Sequence, residues 1–110
     1  MVSESGNTVF EVLADPTRRR VIEILSVGAR RAGELAVGAG ASPQAMSRHL
    51  RVLLDAGVIR DERLPEDARA RLFRLEPQSL VGAQAWLDQL QAEWSVQLAS
   101  FKRHVEEEHR

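Results

Sequence analysis

The sequence predicts a mainly α fold with one two-stranded β-hairpin. Three observations carry this reading. Two segments open on a capping residue followed by proline, Asp15-Pro16 and Ser42-Pro43, and continue with apolar residues at helical period. Two strand-like stretches, residues 58–64 and 69–75, flank Pro65-Glu66-Asp67-Ala68, which has the composition of a turn. A last segment, residues 78–108, carries Leu87, Leu90, Trp94, Leu98, Phe101 and Val105, spaced 3, 4, 4, 3 and 4 residues apart.

Residues 1–7 are expected to form a flexible N-terminus. Val9, Phe10, Val12 and Leu13 then supply a short first helix. Asp15 caps the second, Pro16 suits its first position, and Val21, Ile22, Ile24 and Leu25 give its buried side up to about Ser26, where Gly28 stops it. A short third helix is expected over residues 32–37. The Gly38-Ala39-Gly40-Ala41 connection leads to a fourth helix capped by Ser42, with Met46, Leu50, Leu53 and Leu54 turned inward and Gly57 as its stop. Two short helices joined by a glycine-containing turn, the second polar outside, form a helix-turn-helix, and the hairpin that follows is of the kind called a wing. The expected organisation is a winged helix-turn-helix core over 8–76 and a dimerisation helix over 77–110.

The outer face of the fourth helix carries Gln44, Ser47, Arg48 and Arg51. At about 100° per residue they span an arc of about 100°. Gln pairs with adenine, Arg with guanine, and Ser with bases or phosphate, so this arc suits major-groove reading, with Ser42 and Arg51 on the backbone. Only Asp55 adds an acid to it. His49 falls about 140° from Gln44, toward the apolar side. Arg69 and Arg71 alternate along the second wing strand and point the same way, as phosphate or minor-groove contacts or as charged protection of a sheet edge. Arg18, Arg19 and Arg20 open the second helix and suit either phosphate or acids such as Glu23. Arg30 and Arg31 precede the third helix, where phosphate can be met.

The whole chain has a net charge of -1, yet the charge is segregated. Residues 17–74 hold 12 Arg against 7 acids, while each flank has a net charge of -3. A basic middle between acidic ends is a local electrostatic footprint for nucleic acid. The absence of cysteine excludes disulfides, thiolate metal sites and cysteine nucleophiles. With no export signal, a cytoplasmic location is expected. No apolar run approaches the ~20 residues needed to span a bilayer, so no membrane partner is expected. Ser47 and His49 face different ways on one helix, and there is no glycine-rich phosphate loop, so no catalytic function is expected.

The stretch Phe10-Glu11-Val12-Leu13-Ala14-Asp15-Pro16-Thr17-Arg18-Arg19-Arg20-Val21-Ile22 resembles the opening of the ArsR/SmtB-type winged helix-turn-helix repressors. Residues 42–59, with Ser47-Arg48-His49-Leu50 and Leu54-Asp55-Ala56-Gly57-Val58-Ile59, resemble that family's recognition helix and wing entry. The likeness covers residues 8–76. It implies a homodimeric repressor that binds a double-stranded DNA operator and is released by some signal or inducer. The last helix, with Trp86, Trp94 and Phe101, is similar to a branch of the family without an evident metal site.

Two departures from the family pattern matter. Many members have glycine at the wing tip, where this chain has Leu64-Pro65-Glu66-Asp67-Ala68. An acidic tip is repelled by phosphate, which argues against deep insertion into the minor groove. The family's metal-ligand spacing on the last helix falls on Asp88, Leu90, Phe101 and His104, two of which cannot bind metal. No metal and no cofactor is therefore expected. His104 with Glu107 or Glu108, and His109, reads as a solvated polar end. The stripe Leu87, Leu90, Trp94, Leu98 and Phe101 is expected to form a dimer interface with Val9, Phe10 and Leu13, because one small domain cannot cover it. Two-fold symmetry would then place two recognition helices ~34 Å apart on a palindromic operator. The rival readings are a metal- or ligand-responsive sensor of the same family, and a winged-helix protein-interaction module that does not bind DNA.

Overall fold

A computed structural model describes residues 4–109, with side chains from Val9 onward except that of Ala68. The order is α1 (Glu4–Leu13), α2 (Pro16–Val27), β1 (Arg30–Arg31), α3 (Ala32–Ala39), α4 (Pro43–Asp55), β2 (Ile59–Leu64), β3 (Asp67–Leu75) and α5 (Gln78–Glu108). Helix α1 begins at Glu4, inside the stretch expected to be flexible; residues 1–3 lie outside the described residues.

Caps and stops account for the helix boundaries. Asp15 accepts hydrogen bonds from the backbone N–H groups of Thr17 at 2.8 Å and Arg18 at 3.1 Å. Ser42 Oγ accepts from Ala45 N at 3.1 Å, with Pro43 at the first helical position. Helix α3 runs two residues past its expected end, because the left-handed residue is Gly40, at φ 67°. There Ala41 N donates to Ala36 O and Gly40 N to Val37 O. Helix α4 ends in the same way: Gly57 has φ 74°, Val58 N donates to Leu53 O, and Gly57 N to Leu54 O. Both ends are Schellman motifs, which satisfy the last helical carbonyls and turn the chain sharply. Gly28 differs. Helix α2 does stop there, but Gly28 is extended, with φ 168°.

The sheet has three strands, not two, in the order β1-β3-β2, all antiparallel. Arg30 pairs with Phe73 and Arg31 with Leu72. A two-residue strand made of arginines has no alternation to reveal it, and its partners, Phe73 and Leu72, lie far along the chain. The wing turn is shorter than expected. Leu64 pairs with Asp67, leaving Pro65-Glu66 as the loop, and the register shifts between Arg63 and Leu64. Tight two-residue hairpins favour positive φ; no described non-glycine residue has it, and the irregularity accompanies this loop.

The core gathers Val9, Val12, Val21, Leu25, Leu35, Ala36, Met46, Leu50, Leu53, Val58, Ile59, Phe73 and Ala83. It thus joins every helix to the base of the wing. Helix α5, 31 residues long, should span ~46 Å, and the molecule measures 73 × 26 × 22 Å. Only the first turns of α5 pack on the body, where the Trp86 ring meets Phe10 edge-on at 5.4 Å.

Candidate nucleic-acid interface

Helix α4 holds Met46, Leu50 and Leu53 in the core, which turns Gln44, Ser47, Arg48 and Arg51 outward, all four exposed. The caps at Ser42 and Gly57 fix both ends of this helix, so its rotation about its axis is set by the same core residues. Ser42 uses one oxygen lone pair on the cap and keeps its O–H to donate.

What distinguishes the arginines is whether they are already engaged. Arg18 Nε donates to Val12 O at 3.0 Å and Nη2 to Glu11 O at 3.3 Å. Arg19 Nη1 donates to Leu13 O at 2.6 Å. These two therefore bind the last carbonyls of α1 and are not free phosphate clamps. Arg20 pairs with Glu23 at 3.2 Å. Arg30 Nη1 folds back on Ala29 O at 2.8 Å. On the wing, Arg60 pairs with Glu76 at 3.0 Å, Arg71 with Asp61 at 2.7 Å and Arg74 with Glu62 at 2.6 Å. Arg31, Arg48, Arg51 and Arg69 are exposed and form no ion pair among the described residues.

Two of these four line one cleft. Arg31 and Arg69 line a cleft of about 360 Å³ with Ala32, Asp67, Ala70, Arg71 and Phe73. The β1–β3 pairing brings them together, and nothing in the local pattern around Arg31 announces it. Asp67 moderates the cleft's charge, but its Oδ1 accepts the Arg69 N–H at 3.0 Å. Arg71, expected as a phosphate contact, is occupied twice: by Asp61 and by the Phe73 ring, 5.1 Å from its guanidinium carbon.

Two carboxyls are held below the usual carboxylate range. For Asp15 the main cause is the Arg18 backbone N–H, joined by the Thr17 N–H and by the Arg18 charge, against some desolvation. For Glu62 it is the hydrogen bond from Arg74, then that residue's charge. Both carboxyls are solvent-facing, so these shifts mark local geometry more than stored stability.

The expected dimer residues divide. Leu87, Leu90, Trp94, Leu98 and Phe101 are all exposed, with Trp94 at 59% and Phe101 at 67%. Phe10 and Leu13 are half-buried against the core. Val9 is corrected: at 1% exposure it belongs to the protomer's own core, with no surface to offer a second copy. At the end of α5, His104 pairs with Glu108 at 3.0 Å. Among the described residues no group of three or more His, Asp or Glu is placed to hold a metal ion, and no helix is long and apolar enough to cross a membrane.

A glycine-turned helix pair, a polar and unpaired outer face on its second helix, and an adjoining β-wing define a winged helix-turn-helix DNA-binding protein. A family model described as a helix-turn-helix domain matches residues 13–62. The chain is 33% identical over 104 residues to the HTH-type transcriptional regulator Rv2034 of Mycobacterium tuberculosis, covering 94% of this chain and 92% of that one. It is 40% identical over 57 residues to the transcriptional repressor SdpR of Bacillus subtilis, covering 52% of this chain and 63% of that protein. The solved ArsR family transcriptional regulator RHA00566 superposes with a TM-score of 0.75 at 33% identity, over 86% of this chain and 97% of that one. The chain belongs to the ArsR family of transcriptional regulators, a family of DNA-binding proteins and not of enzymes.

Proposed function

We propose that this chain is a homodimeric, cytoplasmic repressor of a palindromic operator. Gln44, Ser47 and Arg48 read base edges in the major groove. Ser42, Arg51 and Arg69 engage the backbone, joined by Arg31 from the cleft beside the wing, while Arg71, paired with Asp61, is held back from the phosphates. The observation that carries this reading is the exposed pair Arg48 and Arg51 on α4, unpaired while most neighbouring arginines are engaged. Homodimerisation is supported by the apolar stripe on α5, a contiguous face that a soluble protomer rarely leaves open.

The test is footprinting of the purified protein on the region upstream of its own gene, with a salt titration. Protection of two half-sites about one turn, ~34 Å, apart is expected. Affinity should fall steeply with salt as counterions are released. A salt slope near zero would turn the assignment toward a protein-interaction module.

A further inference from the structure

We propose that Arg18 is a positioning residue for DNA recognition, which ties helix α4 through His49 to the last turn of α1. The inference rests on α4 being the reading helix. One guanidinium, rooted in α2, meets two other elements, α1 and α4. Its Nε and Nη2 hold the carbonyls of Val12 and Glu11 at 3.0 and 3.3 Å. Its Nη1 lies 3.5 Å from His49 Nδ1, at the outer limit of a hydrogen bond. Asp15, the cap of α2, accepts the backbone N–H of Arg18 itself at 3.1 Å.

A guanidinium is planar and presents its donors in a rigid fork. Two of its three arms are set by the end of α1, so the position of the third follows α1. His49 is half-buried, sits next to Arg48 in sequence, and lies on the flank of α4 between core and reading face. A contact there resists rotation of α4 about its own axis, the motion that would re-aim Arg48 and Ser47. Helix α1 in turn packs on α5 through Phe10 and Trp86. A continuous set of contacts thus runs from the base of α5 at Trp86, through α1 and Arg18, to the reading helix.

The contact constrains what His49 must be. Nδ1 has to accept, so the ring proton stands on Nε2. Glutamine at this position retains an acceptor; leucine has none.

The test measures binding of intact protein to a duplex selected by the wild type from a random library, and to an unselected duplex of the same length. His49→Leu and Arg18→Lys are each expected to weaken the selected duplex about tenfold and the unselected one by less than about twofold. Their combination should lose no more than the larger single loss, the mark of two residues acting as one. His49→Gln should stay within about twofold of wild type. Thermal midpoints report whether a variant has simply lost its fold. Equal losses on both duplexes, additive losses in the double variant, or wild-type affinity in His49→Leu would each overturn the coupling. Arg48→Ala is the control: if it too leaves selected binding unchanged, the reading assigned to α4 falls as well.

Discussion

Arg71 and Asp61 lock the two main wing strands diagonally, with Arg71 Nε 2.7 Å from Asp61 Oδ2 and the same guanidinium 5.1 Å from the Phe73 ring centre. Asp61 stands opposite Phe73 in the register, so all three side chains share one face of the sheet. The arginine that local sequence offers to DNA is therefore partly neutralised within the protein. Asp61→Asn should release it. Affinity for unselected DNA is expected to rise a few-fold at low salt, with a steeper salt dependence by about one phosphate contact. Thermal stability should fall slightly, since an exposed pair contributes only about 0.2–1 kcal/mol. Fluorescence anisotropy across a salt series checks the first, and melting curves the second.

Arg48 and Arg69 should separate base reading from backbone contact. Arg48→Ala is expected to cost ~1–3 kcal/mol on the selected operator and to relax base preference at one position. Arg69→Ala should weaken all sequences alike and lower the salt slope by about 1. Competition against single-position operator variants distinguishes them. Equal losses on operator and random DNA for Arg48→Ala would count against base reading by this residue.

Gly57 holds φ at 74°, where a side chain is strained whatever room surrounds it. Gly57→Ala is expected to cost about 1–2 kcal/mol. Because Gly57 sets the turn from α4 into the wing, operator affinity should drop with it. Urea denaturation of the variant measures the first effect.

Trp94 and Leu98 lie on the part of α5 that reaches past the body, both exposed. Trp94→Glu with Leu98→Glu should give a monomer by sedimentation while helix content by circular dichroism stays close to wild type. Operator affinity should fall by roughly 10²-fold or more, since two linked half-sites gain that much over one. A double variant that remains dimeric would place the interface elsewhere.

Asp15 and Glu62 predict an acid limb. Both carboxyls are depressed in the folded state, by backbone N–H groups and by Arg74 respectively. A depressed carboxyl contributes stability that is complete above its unfolded pKa and lost as pH falls through the folded one. The contribution of these two carboxyls to the thermal midpoint, small because both face solvent, should be complete above the ordinary carboxylate range and shrink below about pH 4. Asp15→Asn keeps a good cap without the titrating group. Its decline between pH 4 and 2 should be shallower than wild type.

What is local in this protein can be read along the chain. Asp15-Pro16, Ser42-Pro43 and Gly57 act on backbone groups within five residues of themselves, so the starts of α2 and α4 and the end of α4 could be read from them. The polar arc Gln44, Ser47, Arg48 and Arg51 follows from helical period once Met46, Leu50 and Leu53 turn inward. The same holds for the stripe from Leu87 to Phe101. Tertiary structure alone decided which arginines are available. Arg18 and Arg19 are spent on α1 carbonyls and Arg71 on Asp61, while Arg31 joins Arg69 through a strand pair whose members lie far apart along the chain. It also placed Val9 in the core and His49 against Arg18. A long, flexible, charged side chain takes its partner from whatever the fold brings within a few ångströms, and spacing along the chain carries no record of that choice.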